Sequence, residues 1–501
     1  MYWPAFTTVL LLVLAGCCWP QTGGSQILAL FINGHRSHLL LYSSIVNLLL
    51  DRGHHVTLVT TNDIPQISAE AANLRWIKLS SNYTRGRAMA QSNPLDKIES
   101  MLRRIEYTSK FMKDPTWLSF MQENHHPTYD LMILGYLFND YQLGVAAHFK
   151  CPVVVVWTGQ PIGFVHRLMG NPEERWYVPQ PYDRNQFSGF KALAFGWFEK
   201  FVELLALQKM KEIYNEHFPE SKYPAFNEIR KNVSLALFNH HSLSEGPIAP
   251  FLPAIIEIGG LEYHKQEHKD NKLESILKTK DNIIYLSFGS RVKWSQMDTN
   301  FVDIFLESFG QYPNYTILWT YDKNCTELEM KSGNVLCQQW WPQTLILASN
   351  KTRLFISHGG KGSISEVYRY GKPILGFPFF GDQRANVAKI QAKHMGLKLD
   401  IHNLTKEGLV RAIHELLTKE EYRRNSEEFS SLYKDRPQTN EQTLIYWLEY
   451  VIRHRGAQHL RSPALELNVI EYYNLDVYMV IMLSLAILRV VCNWIEKSFK
   501  K

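Results

Sequence analysis

Between Trp340 and Gln383 the chain concentrates residue types that bind anions and hydroxyl groups. An apolar run, Leu354-Phe-Ile-Ser357, leads into His358-Gly359-Gly360-Lys361-Gly362-Ser363-Ile364-Ser365-Glu366, and a helical pattern follows until Gly371 and Pro373 stop it. Glycines between a strand and a helix leave backbone N–H groups free at the positive end of the helix, an arrangement that holds phosphate. Ser363 adds a hydroxyl and His358, at the strand end, can donate to a phosphate oxygen. Glu366 lies three residues beyond Ser363, on the same helix face, where its carboxylate can accept from two ribose hydroxyls. The segment reads as a cradle for a nucleoside diphosphate.

Gly360-x-Gly362-x-x-Ser365 also comes close to the dinucleotide fingerprint, with Asp382 some 20 residues on, so a nicotinamide oxidoreductase is an alternative. Against it, the third glycine is Ser365, the motif sits late in its domain, and His358 with Gly359 has no part in that reading.

The frame around the glycines is more specific. Trp340-Trp341-Pro342-Gln343 precedes them and Gly381-Asp382-Gln383 follows the next strand, and the whole constellation resembles the UDP-glycosyltransferase (UDP-glucuronosyltransferase) family, in its insect-like, membrane-anchored form. The resemblance extends to Ser287-Phe-Gly-Ser290 and to residues 453–461, and so covers nearly the whole mature chain. It implies that Trp340 stacks on uracil, with Gln343 at the uracil edge or ribose. His358, Gly360 and Ser363 would hold the diphosphate with Ser290 approaching it, Glu366 the ribose, and Asp382 and Gln383 the sugar hydroxyls. Gly362, where many members carry Asn, is a departure that removes one side-chain contact to phosphate. Trp341, in an apolar run, is expected in the core.

Transfer from a UDP-sugar with inversion needs a base for the acceptor hydroxyl, and histidine suits that near neutral pH. His35 and His38 follow the first strand; His38 matches the family's catalytic histidine, leaving His35 as a loop residue. The family orients this histidine with an acid whose position here is Gly135, so Asp140 is the candidate replacement. If nothing replaces it, the chain is a UDP-sugar-binding membrane protein with little or no turnover. The chain contains no Asp-x-Asp pair of the kind that holds a metal on a diphosphate, so no metal or cofactor is expected beyond the UDP-sugar co-substrate.

These residues need scaffolds to bring them together. Strand patterns at 27–33, 55–60, 75–79, 131–134 and 153–157, with helical stretches at 39–51, 101–112 and 195–214, predict a doubly wound parallel sheet. Further strands at 283–288, 316–320, 334–337, 354–357 and 374–379 predict a second. The expected fold is α/β, two Rossmann-like domains facing across a cleft, of the GT-B type that the resemblance implies, plus a C-terminal transmembrane helix. The expected boundaries are a signal peptide at 1–24, an acceptor domain at 25–245, a proline-punctuated linker at 246–280 and a donor domain at 281–465. A transmembrane helix at 477–495 and a cytoplasmic tail at 496–501 complete the chain. Aromatic loops around Trp157, Phe164 and Phe190 are the candidates for the acceptor pocket.

A chain of 501 residues accommodates two such domains. Its net charge of +6, with no long basic block, argues against a nucleic-acid partner, and 45% hydrophobic content excludes disorder. Of six cysteines only Cys325 and Cys337 are placed to pair. The basic end at Lys497, Lys500 and Lys501 predicts a cytoplasmic tail and a lumenal body on the endoplasmic reticulum membrane. Six sequons, at Asn82, Asn232, Asn314, Asn324, Asn350 and Asn403, suit that side. The implied partners are a UDP-sugar, a small lipophilic acceptor and the membrane, with self-association left open.

Overall fold

The computed structural model describes residues 24–32, 36–64, 67, 71–80, 94–123, 127–178, 189–261, 270–290 and 292–499. The expected signal peptide apart from Gly24, together with His35 and Asn82, lies outside the described residues.

Two parallel sheets carry the chain. The first runs β3 (Leu74–Lys78), β2 (His55–Thr60), β1 (Gln26–Phe31), β4 (Leu131–Gly135), β5 (Val153–Trp157), β6 (Val233–Phe238), β7 (Ile255–Glu257) across its width. The second runs β10 (Val335–Gln338), β9 (Thr316–Thr320), β8 (Ile283–Ser287), β11 (Thr352–Ser357), β12 (Ile374–Gly376), β13 (Gly396–Lys398). Every pairing is parallel, and the central strands β1, β4 and β5 are buried, nearly continuous apolar runs, as in a sheet covered on both faces. In each sheet the strand order reverses once, between β1 and β4 and between β8 and β11. The crevice outside the carboxyl ends of such a pair is where doubly wound folds take ligands.

The helices that bear on the site and its surroundings are α1 (Arg36–Asp51), α2 (Gly163–Leu168), α3 (Gly189–His217), α4 (Gln343–Ala348), α5 (Lys361–Tyr370), α6 (Gln383–Ala392), α7 (Asn440–Arg453) and α8 (Leu475–Phe499). Helix α1 follows β1 and crosses to β2, completing the first βαβ unit where the spacing predicts it.

Two boundaries differ from expectation. β7 lies within the expected linker and pairs with β6, so the first sheet continues past residue 245. Residues 440–453, within the range expected for the donor domain, form α7 and return to the first: Leu444, Leu448 and Val451 are fully buried in the core built around β1, β4 and β5. Arg52 also donates to Glu449 (2.8 Å). The apolar residues of α7 recur on one face, but periodicity carries no information about which core receives that face.

The only disulfide among the described residues joins Cys325 and Cys337, the pair the sequence singles out. Helix α8 is 25 residues long, predominantly apolar with Arg489 as the one charge between Val477 and Ile495, and entirely outside the protein core.

Candidate active site

The second sheet's switch point is built from two glycine-containing turns. β8 ends in Ser287 and β11 in the adjacent Ser357. Beyond β8 the chain turns through Gly289 (φ +71°) to the half-buried Ser290; beyond β11 it passes His358 and Gly359 (φ +78°) to Gly360, which caps α5. The His358 imidazole lies between the turns. A Cβ on Gly289 would come within 2.8 Å of its Cε1, and one on Gly360 within 2.4 Å of its Nε2. Both glycines are therefore needed for the close approach of the ring, a demand separate from leaving backbone N–H groups free at the α5 start.

Helix α4 brings the second group in from the side. Gln343 donates to Ser363 Oγ (3.2 Å) and to a Glu366 carboxylate oxygen, and Thr344 donates to the other Glu366 oxygen (2.8 Å). Gln343, Ser363 and Glu366 are thus one hydrogen-bonded cluster on the α4 and α5 surfaces. Trp340, immediately before it, leaves about half its surface open, whereas Trp341 is buried and donates to the Trp319 carbonyl (3.1 Å), in the core as expected. Thr344 was not anticipated, although its place directly after Gln343 was the available signal.

The Asp382 and Gln383 pair divides. Gln383 is buried at the start of α6, and its side-chain oxygen accepts from the backbone N–H of Phe379 (2.8 Å) and Phe380 (3.0 Å). It braces the loop that presents Asp382, and only its amide N–H₂ is left for a ligand. Asp382 is half-buried and accepts from Asn386 (2.8 Å), which also donates to the Gly359 carbonyl (3.0 Å). Asn386 ties the Asp382 loop to the glycine turn. The sequence signalled it only as an asparagine four residues past Asp382, on the same helix face.

In the first sheet, His38 is half-buried in the first turn of α1, at the carboxyl end of β1. Gly135 ends the neighbouring β4, and Trp157 ends β5 beside it. Tyr42, one turn beyond His38, occupies the space over Gly135: its ring stacks on Phe31 (centroids 4.1 Å apart), and a Cβ on Gly135 would come within 2.8 Å of its hydroxyl. Burial pushes the Tyr42 phenol above its ordinary range, so it stays neutral.

Asp140 does not take the part expected of it. The residue is fully buried; one carboxylate oxygen accepts from the Tyr136 hydroxyl (2.7 Å) and the other from Arg230 Nε (2.6 Å). Both oxygens are committed, one to a hydroxyl and one to a buried ion pair, in the turn after β4. Of the aromatic candidates, Trp157 and Phe164 share a cluster with Tyr136 and Phe138, in which the Phe138 and Phe164 rings meet edge to face at 4.6 Å. Phe190 is not part of it; it stands 81% exposed at the start of α3.

The carboxyl ends of the two sheets meet. Lys361, the first residue of α5, forms an ion pair with the buried Glu245 of the first domain, and Lys389 of α6 donates to Gln160 (3.2 Å) and to the Gly246 carbonyl (3.4 Å). Burial drives the Glu245 carboxyl upward, but Lys361 and His240 outweigh it and hold the carboxyl well below the usual carboxylate range. No local pattern announces this pair, whose members are 116 residues apart.

The family model described as UDP-glucoronosyl and UDP-glucosyl transferase matches residues 27–501. The chain is 27% identical to a UDP-glucosyltransferase 2 of Dactylopius coccus, over 98% of this chain and 96% of that protein. It is 28% identical to the mouse UDP-glucuronosyltransferase 1A6, over 92% of this chain and 88% of the relative. Among solved structures it resembles the glycotransferase of kitacinnamycin (TM-score 0.58, 14% identity, 86% of this chain and 99% of that one). It likewise resembles a UDP-glucose: anthocyanidin 3-O-glucosyltransferase in complex with UDP (TM-score 0.54, 16% identity, 86% and 100%). At those identities the structural likeness shows the two-domain fold.

Proposed function

Because this chain belongs to the UDP-glucoronosyl and UDP-glucosyl transferase family, we propose that it moves a hexosyl group, glucose or glucuronate, from a UDP-sugar to the hydroxyl of a small lipophilic acceptor. The anomeric carbon inverts and no metal takes part. The observation that carries this reading is the pairing of two switch points: His38 at the end of β1, and Ser290 with His358 at the ends of β8 and β11, in domains joined by Lys361–Glu245 and Lys389–Gln160.

In this reading the half-exposed Trp340 stacks on uracil, and the Gln343–Ser363–Glu366 cluster receives the ribose and the adjoining phosphate. His358, Ser290 and the free N–H groups at the start of α5 meet the charge that builds on UDP as the bond from the anomeric carbon to the phosphate oxygen breaks. Asp382 takes sugar hydroxyls, with the Gln383 amide beside it. His38 accepts the acceptor's proton as its oxygen attacks from the opposite face. Aromatic side chains around Phe138, Trp157 and Phe164 suit a lipophilic acceptor. The likeness to the Dactylopius glucosyltransferase favours glucose.

Helix α8 is the membrane anchor in this reading, with the body on the lumenal side of the endoplasmic reticulum. The five described sequon asparagines, Asn232, Asn314, Asn324, Asn350 and Asn403, are all exposed, as that side requires for glycosylation.

The test is the purified full chain with UDP-glucose, UDP-glucuronate and UDP-galactose against a panel of phenols, with and without chelator. A β-linked product from an α-linked donor, formed at the same rate in chelator, is the expected result. Retention of the anomeric configuration, or loss of turnover on chelation, overturns the mechanism.

A further inference from the structure

The first half of α3 is inside out. Phe190, Leu193, Trp197, Phe201 and Leu204 recur every three or four residues along one face, and that face points away from the protein: Trp197 is 60% exposed, Phe201 54% and Leu204 64%. The two carboxylates of the same half turn toward the protein, while Lys191 is exposed and Lys200 lies beside the stripe. Glu203 is buried against Arg167, Arg167 also pairs with Glu173, and Arg175 pairs with both Glu173 and Glu199. Beyond Leu204 the outward face reverts to Gln208, Lys211, Glu212, Asn215 and Glu216, all exposed, as a water-facing helix should be. A helix that faces water along its whole length has no reason to change its outward chemistry halfway.

The apolar face is continuous with the start of α8. Trp197 packs 5.8 Å from the ring of Tyr473, which lies two residues before α8 begins. Lys200 donates to the Tyr473 hydroxyl, with its ammonium 5.1 Å from the Trp197 ring and 4.9 Å from that of Tyr473. Trp176 and Tyr177, on the loop after α2, and Val469 and Ile470, just ahead of Tyr473, are exposed as well. The segment leading to α8 is itself bound to the first domain, through Ser462 to the Gly170 carbonyl (3.0 Å) and Lys231 to Glu466 (2.8 Å). The stripe therefore sits beside the point where the chain turns into α8. Aromatic rings with lysines among them are the composition of a bilayer interface.

We propose that the first half of α3, with Trp176 and Tyr177, beds into the headgroup and acyl boundary of the same bilayer that α8 crosses. The first domain is then held to the membrane at two places, and the domain that carries His38 rests on the phase into which lipophilic acceptors partition. The proposal rests on α8 being a span.

Spin-label accessibility in the full chain tests both separately. In a Cys492→Ser background reconstituted into phosphatidylcholine vesicles, Phe201→Cys, Leu204→Cys, Glu216→Cys and Ile487→Cys are each labelled with a nitroxide, and UDP binding and circular dichroism confirm the fold of each variant. Positions 201 and 204 should relax several-fold more with oxygen than with a water-soluble nickel chelate, as should 487, while 216 should show the reverse. Lipid contact at 487 with water contact at 201 and 204 overturns the proposal and leaves the anchor standing. Water contact at all four overturns both. Shielding of 201 and 204 from both reagents, with spin–spin broadening that grows as protein is added per lipid, assigns the face to a second copy and overturns the proposal.

Discussion

His38 and Asp140 were paired by sequence, but the structure gives both Asp140 oxygens to Tyr136 and Arg230. As the proposed base, His38 acts on the acceptor alone, so His38→Ala should abolish transfer and leave UDP affinity within a few-fold, read by product formation and calorimetric titration on one preparation. A parallel loss of UDP binding would move His38 into the donor site. Asp140→Asn has a different expected signature. With its carboxylate buried between Tyr136 and Arg230, the substitution strands a buried guanidinium, and breaking such a pair costs about 3–5 kcal/mol. Thermal melting should fall by many degrees while turnover per folded molecule holds. Restoring an acid at Gly135 is no simple repair, since its side chain would meet the Tyr42 hydroxyl; overpacking of that kind costs about 1–3 kcal/mol.

At the scale of elements, the proposed donor cradle depends on two turns closing over one imidazole. Gly360→Ala adds a single methyl, in a backbone conformation that alanine adopts readily, yet that methyl would come within 2.4 Å of His358 Nε2. The ring must swing out of the cradle. The expected result is UDP affinity lower by about ten-fold, the loss of one hydrogen bond to a charged group, with melting temperature little changed. Gly362→Ala, on the exposed side of α5 with open space where its Cβ would go, serves as the control and should leave UDP affinity unchanged. Equal affinity in both variants would remove His358 from the donor site.

For the molecule as a whole, the buried Lys361–Glu245 pair joins the donor turn to the first domain. Glu245 has its folded carboxyl held below its usual value near 4.5, so its contribution to stability is present above that value and is lost as pH falls below it toward the folded pKa. Glu245→Gln should cost about 3–5 kcal/mol at neutral pH by leaving Lys361 buried without its partner. The variant should also lose less stability than the wild type between about pH 5 and pH 3, which melting curves across that range would measure. Parallel pH profiles would mean that the pair does not couple the domains. Helix α7 gives the joint a second tie by crossing back from the second domain into the first core, so that the chain enters α8 from the acceptor side of the molecule.

Strands and helices were legible because burial imposes a period on local sequence: β2, β5 and β9 fall on the predicted residues, and the strand–glycine–helix order at β11 and α5 is found as read. The Cys325–Cys337 pair and the buried Trp341 were readable for the same reason, each standing in a local context that left one plausible fate. β6, β7 and β13 were missed; β7 and β13 are only three residues long and depend on their neighbours for pairing, and β7 lay under prolines that read as a linker. Which carboxylate meets which cation was beyond local reading, since Asp140 finds Arg230 and Glu245 finds Lys361 through the packing of distant segments. The same holds for the outward face of α3: its apolar and charged residues both recur with helical spacing, and only the surroundings decide which set turns inward. Sequence determined the elements and the chemistry available to them, because both are properties of neighbours in the chain. Tertiary structure decided the partners, because those are properties of neighbours in space.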